Sequence, residues 1–123
     1  MILSCVLLWS VPITANAENI HPYYTDTNRV QLTLTFSSNN ATCSGTISGK
    51  TGTTSITNCT ITITDSNGIV AASWDGISSN SSVLTFKRTA SVTKGETYTL
   101  SVTATVNRNG SSETVSGSIT KTY

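Results

Sequence analysis

Apolar side chains recur at every second position along most of this chain. Val30-Gln31-Leu32-Thr33-Leu34-Thr35-Phe36 alternates without a break, the pattern of a strand with one face buried. Ser37 to Asn40 follows as a turn, and Ala41, Cys43, Gly45 and Ile47 then share one face of a second strand. Gly49-Lys50-Thr51-Gly52 breaks that strand. Cys59, Ile61 and Ile63 share the inner face of a third. Ile56 falls on the opposite face by count, so a bulge is expected between it and Cys59. Asp65-Ser66-Asn67-Gly68 is a turn signal ahead of a short fourth strand, Ile69 to Trp74, which Asp75-Gly76 is expected to end. A fifth strand runs from Val83 to Arg88 with Leu84 and Phe86 inward. Tyr98, Leu100, Val102, Ala104 and Val106 mark the sixth. Asn109-Gly110 is a two-residue hairpin signal, and Val115, Gly117 and Ile119 mark the seventh. Seven short strands, regular turns and no 3.6-residue period predict an all-β protein: an antiparallel β-sandwich of about seven strands.

The ends of the chain differ from this middle. The first seventeen residues are apolar and uncharged and finish in Ala15-Asn16-Ala17, which reads as a secretory signal peptide cleaved after Ala17. The run is too short, and too interrupted by Pro12 and Asn16, to span a membrane. Residues 18–28 show no period and are expected to form an extended N-terminal arm, and residues 29–123 the sandwich. The 106 residues left after cleavage suffice for one core. The expected location is extracellular.

Ser and Thr together make up 43 of the 123 residues, while only 11% are charged and the net charge is +1. A Thr-rich β protein fits this balance, because the branched Cβ suits a pleated surface. No basic patch points to nucleic acid. The outward rows Thr33 and Thr35; Thr60, Thr62 and Thr64; and Thr97, Thr99, Thr103 and Thr105 read as exposed strand formers.

Val92, Gly95, Tyr98, Leu100 and Val102 are spaced as in fibronectin type III and immunoglobulin-like domains at the corner leading into the sixth strand. That resemblance implies a tyrosine corner, with Tyr98 bonding back to the preceding loop. A second resemblance shares the Val92-x-x-Gly95 and Tyr98 spacing and covers most of the chain after the signal segment. Ala41-Thr42-Cys43-x-Gly45, Gly52-Thr53-Thr54, Ser73-Trp74, Gly110-Ser111-x-Glu113-Thr114-Val115 and Thr122-Tyr123 look like small exported proteins of gut Clostridia, single β-sandwich modules of unassigned activity. The resemblance implies export and no particular reaction.

Candidate chemistry is sparse. Removal of the signal takes away Cys5 and leaves Cys43 and Cys59. An even pair of inward-facing cysteines on successive strands of an exported domain is expected to form a disulfide. The loop of about fifteen residues would contribute roughly 3 kcal/mol. His21 is the sole histidine and has no evident partners for a metal site or a triad. The carboxylates Glu18, Asp26, Asp65, Asp75, Glu96 and Glu113 show no pairing, and Asp65-x-Asn67-Gly68 lacks the later ligand of a calcium loop. No nucleophile or phosphate motif occurs. No enzyme, cofactor or metal is therefore expected. The expected function is a non-catalytic interaction module with a protein or glycan partner at the cell surface. The loops Gly49–Ser55 and Asn107–Ser112 should meet at one end of the sandwich and bring Lys50 and Arg108 to a binding rim. The alternative is a carbohydrate-binding module, with Trp74, Tyr23 and Tyr24 as the sugar platform.

Overall fold

The computed structural model describes residues 17–20 and 26–123. The signal segment short of Ala17, and His21, Tyr23 and Tyr24, lie outside the described residues. The strands are β1 (Ala17–Ile20), β2 (Thr27–Ser37), β3 (Asn40–Gly49), β4 (Thr53–Asp65), β5 (Val70–Ser79), β6 (Val83–Ser91), β7 (Thr97–Arg108) and β8 (Ser111–Thr122). They form two four-stranded antiparallel sheets, ordered β1-β2-β3-β6 and β5-β4-β7-β8. The seven expected strands are all present, and β1 adds a short pairing within the arm, Glu18 opposite Leu32.

The inward faces are the ones the alternation selects. Leu32, Leu34, Cys43, Ile47, Ile61, Ile63, Leu100 and Val106 are fully buried between the sheets. The fold is an immunoglobulin- and fibronectin type III-like β-sandwich: the chain crosses from β3 to the second sheet, returns with β6, and crosses again at Val92–Glu96. At that corner Thr93 N donates to Tyr98 Oη at 2.8 Å, and Tyr98 is buried. Tyr98 is therefore part of the architecture.

Two hairpins turn through residues with positive φ: Ser38 at 52° and Asn39 at 64°, and Asn109 at 49° with Gly110 at 81°. Two successive left-handed residues are the type I′ geometry, whose twist matches the strands it joins. The bulge in β4 lies at Asn58, φ 53°, and shifts the register between Ile56 and Cys59 so that both side chains are buried. One boundary differs from expectation. Asp75-Gly76 lies inside β5 and does not end it: Trp74 pairs with Ile61 and Ile77 with Cys59, so β5 carries an extra residue there. Gly76, at φ 69°, supplies the bend.

The two flanks of the sandwich differ. On one, β8 lies along β2. Lys121 Nζ donates to Leu34 O (3.2 Å), and Asp26 N and Thr27 Oγ1 donate to Glu113 Oε1 (2.9 and 3.2 Å). On the other, the edge strands β5 and β6 face each other without pairing.

A clamped pole and a hydroxyl face

The end of the sandwich where β2 begins gathers the chain's most connected polar groups. Asp26 is only 6% exposed. Its Oδ1 accepts from Arg108 Nη1 at 3.1 Å and its Oδ2 from Ser111 Oγ at 3.2 Å. Its carbonyl accepts from Lys50 N at 2.9 Å. Arg108 also donates through Nε to Thr51 O at 2.8 Å. One guanidinium thus ties the β3–β4 turn to the buried carboxylate beside β2, using the fork of donors that suits arginine to such a task.

The sequence places these parts locally for simple reasons. Lys50-Thr51-Gly52 is a tight turn closed by Thr53 N and Thr53 Oγ1 donating to Lys50 O. Arg108 is the last residue of β7, opposite Thr53 in the ladder, so its side chain starts beside that turn. Gly52 lies against the Asn109 side chain, and a Cβ there would come within 2.8 Å of Asn109 Oδ1.

The structure therefore brings Lys50 and Arg108 to one pole. Arg108 is a clamp, with two of its groups already bonded inside the protein. Asp26 and Glu113, which no sequence pattern links, prove to be its companions. Their separation from Arg108 and Thr27 by more than eighty residues explains why alternation could not find them. The groups facing outward at the pole are Thr51, Gly52, Asn109 and Gly110.

Of the carboxylates that the structure describes, Asp65 Oδ1 accepts from Asn67 N and Ile69 N and so closes its own turn. Asp75 and Glu96 are exposed. Among the described residues no group of three or more His, Cys, Asp or Glu is placed to hold a metal ion.

Cys43 and Cys59 are both buried as free thiols, which corrects the expected disulfide. β3 and β4 are successive in sequence but belong to opposite sheets, so Cys43 and Cys59 are not the strand neighbours the expectation required: Cys43 lies opposite Leu34 and Arg88, and Cys59 opposite Ile77. Cys43 Sγ donates to Arg88 O at 3.3 Å. Burial raises both thiols, Cys43 to about 11, so they act as small apolar core residues and not as nucleophiles.

Trp74 is half-buried and packs against the core beside Ile77 and Ala72. Tyr123 stacks on Phe36 at a centroid distance of 4.9 Å and accepts from Asn39 N through its hydroxyl. These rings are engaged with the protein.

The outer face of the β4, β7 and β8 strands has a different character. Its in-register outward positions are Ser55, Thr57, Thr60, Thr62 and Thr64 on β4, every second residue from Thr97 to Asn107 on β7, and every second residue from Ser112 to Thr122 on β8. All bear hydroxyls except Asn107, and none is charged. The hydroxyls bond across strands: Thr97 with Thr122 at 2.7 Å, Thr99 with Thr120 at 2.8 Å, and Asn107 Nδ2 to Ser55 and Thr57. The expected Thr rows on β4 and β7 lie here, and both charges of β8, Glu113 and Lys121, occupy the alternate positions directed at β2.

Among the described residues no helix is long and apolar enough to cross a membrane. No protein-family model and no curated protein sequence matches the chain.

Proposed function

We propose that this chain is an exported, non-catalytic interaction module that presents the Lys50/Arg108 pole to a protein or glycan at the cell surface. The observation that supports it is the clamp. Asp26, Arg108, Ser111 and Thr51 hold two turns together, and a surface fixed before binding loses less entropy on binding. Export rests on the apolar, uncharged stretch that ends in Ala15-Asn16-Ala17. Mass spectrometry of secreted material should give Glu18 as the first residue; an intact Met1 would remove the basis for export.

The pole is tested with a photoreactive side chain at exposed Thr51 and, as a control, at Asp75 on the far edge. On the producing cell surface, cross-links should form from position 51 and not from 75. Equal labelling from both sites would sink the proposal.

A second reading, carbohydrate binding, is favoured by the uncharged hydroxyl face more than by aromatic rings, since Trp74 is packed against the core. Neutral-polysaccharide retention abolished by Thr60→Lys with Thr103→Lys would support it. Retention unchanged in that pair would refute it.

A further inference from the structure

Arg88 stands apart from Arg108, the other half-buried arginine among the described residues. It lies opposite Cys43 in the β3–β6 ladder and alternates with Leu84, Phe86 and Ala90, so it belongs to the inward row of β6. A guanidinium has five N–H donors. Here Nη1 donates to Lys87 O at 2.9 Å, whereas the other half-buried arginine, Arg108, is paired with Asp26. Arg88 is thus a half-buried cation with no carboxylate paired to it among the described residues, and a charge drawn partly from water is stabilised by a counter-charge.

The backbone around it is equally underused. Ser82 O accepts from Gly49 N, and Val92 N donates to Asn39 O. The even-numbered residues of β6 therefore turn their backbone groups to β3, and Thr85, Lys87, Thr89 and Ser91 turn theirs to the free edge. At the start of the strand Ser79 and Ser81 donate to Val83 O. Beyond it, among the described residues, Arg88 Nη1 folds back on Lys87 O.

We propose that the β6 edge from Thr85 to Ser91 docks an extended, acidic segment of a partner protein, added as a further strand with a carboxylate on Arg88. A row of unpaired N–H and C=O groups selects a peptide backbone. Lys87 and Arg88 put positive charge on both faces of that row, and a strand alternates its side chains between the same two faces, so the occupant is acidic. A second copy of this chain is disfavoured, because β6 against β6 gathers four like charges on one strand pair. Half-buried Ala72, Trp74 and Ile77 on β5 stand across the flank and supply apolar cover for the incoming strand. The Arg88–Lys87 contact acts as a gate. A neutral strand leaves it closed, whereas a carboxylate draws the guanidinium away and frees the carbonyl.

The test is a titration of isotope-labelled protein, followed by amide NMR, with three nine-residue peptides of alternating Thr-Glu, Thr-Gln and Thr-Lys. The acidic peptide should shift the amides of Thr85 to Ser91 and the Trp74 indole, with affinity at least tenfold above the other two. Arg88→Glu should cost the acidic peptide tenfold or more and raise binding of the basic one; Arg88→Gln, which keeps a polar side chain of similar reach, covers the case that the reversal fails to fold. The proposal is overturned if the acidic peptide binds both Arg88 variants as it binds the native chain, or if the amides of Thr85 to Ser91 do not shift. It is also overturned if an acidic polysaccharide shifts the β6 amides while the peptide does not, or if the protein self-associates through β6. The strip and the pole are separate surfaces, so shifts confined to Thr85–Ser91 test this proposal independently of what the pole binds.

Discussion

Removing the carboxylate of Asp26 should release the pole, and the size of the effect follows from its contacts. Asp26→Ala deletes two hydrogen bonds to an ionised acceptor, from Arg108 at 3.1 Å and from Ser111 at 3.2 Å. Bonds of that kind contribute about 1.5–3 kcal/mol each when short and buried. Both lie at the long end of the range, and the Arg108 side chain is 27% exposed, so the orphaned guanidinium regains water. The loss of either partner from a fully buried ion pair costs about 3–5 kcal/mol; here about 2 kcal/mol is expected. On the usual scale of about 4–8 °C per kcal/mol, Tm falls by about 10 °C. Urea titration should show a lower midpoint with an unchanged slope. Asp75→Ala, at an exposed edge, should stay within about 0.5 kcal/mol. In a double-mutant cycle with Arg108→Ala, the coupling between the two sites should exceed about 0.5 kcal/mol. An Asp26→Ala loss no larger than that of Asp75→Ala, or strictly additive losses with Arg108→Ala, would refute the clamp.

Three further outcomes follow. Tyr98→Phe leaves the Thr93 amide without its 2.8 Å partner and should cost about 1–2 kcal/mol in urea denaturation; no measurable loss would remove the corner bond as a support. Gly45→Ala sets a Cβ 2.6 Å from the buried Phe86 ring and 2.8 Å from Gln31 O, so about 1–3 kcal/mol should be lost to overpacking, and a neutral result would mean the β2–β3–β6 sheet adjusts freely. Burial raises the Cys43 thiol from 9.0 to about 11; its stabilising effect is complete below pH 9 and is lost as pH rises from 9 through 11, because the unfolded chain releases the proton first. About 3 kcal/mol of stability should therefore disappear across that window and be absent in Cys43→Ala; identical alkaline profiles would rule out a free buried thiol.

The alternation of side chains carried most of the fold. Leu32 and Leu34, Ile61 and Ile63, and Leu100 and Val102 face the core as their spacing requires, since a period of two admits only one choice of face. The misplaced count at Ile56 located a real bulge. Asp75-Gly76 was ambiguous because a left-handed glycine serves equally as a strand end and as a bulge within a strand. The free thiols of Cys43 and Cys59 were hidden for another reason: an even number of cysteines carries no information about the distance and direction of the two side chains in the core, which decide whether they can be bridged. Lys50 and Arg108 could be brought together from the sandwich topology alone. Asp26 and Glu113 could not, because their bonds join chain segments more than eighty residues apart.

The β2–β8 flank has a mechanical meaning. Asp26 bonds to Glu113, and Leu34 to Lys121, so the two strands run parallel and keep one register along their contact. Tension applied between Asp26 and Tyr123 pulls these strands past each other lengthwise. Both side-chain ties and the apolar contact between them then carry load together, in shear, and cannot open one after another. Forced unfolding is governed by the rate of crossing the unfolding barrier, and a seam that must give way all at once makes that crossing slow. The sandwich should therefore resist stretching along its axis far better than peeling from the β5 edge.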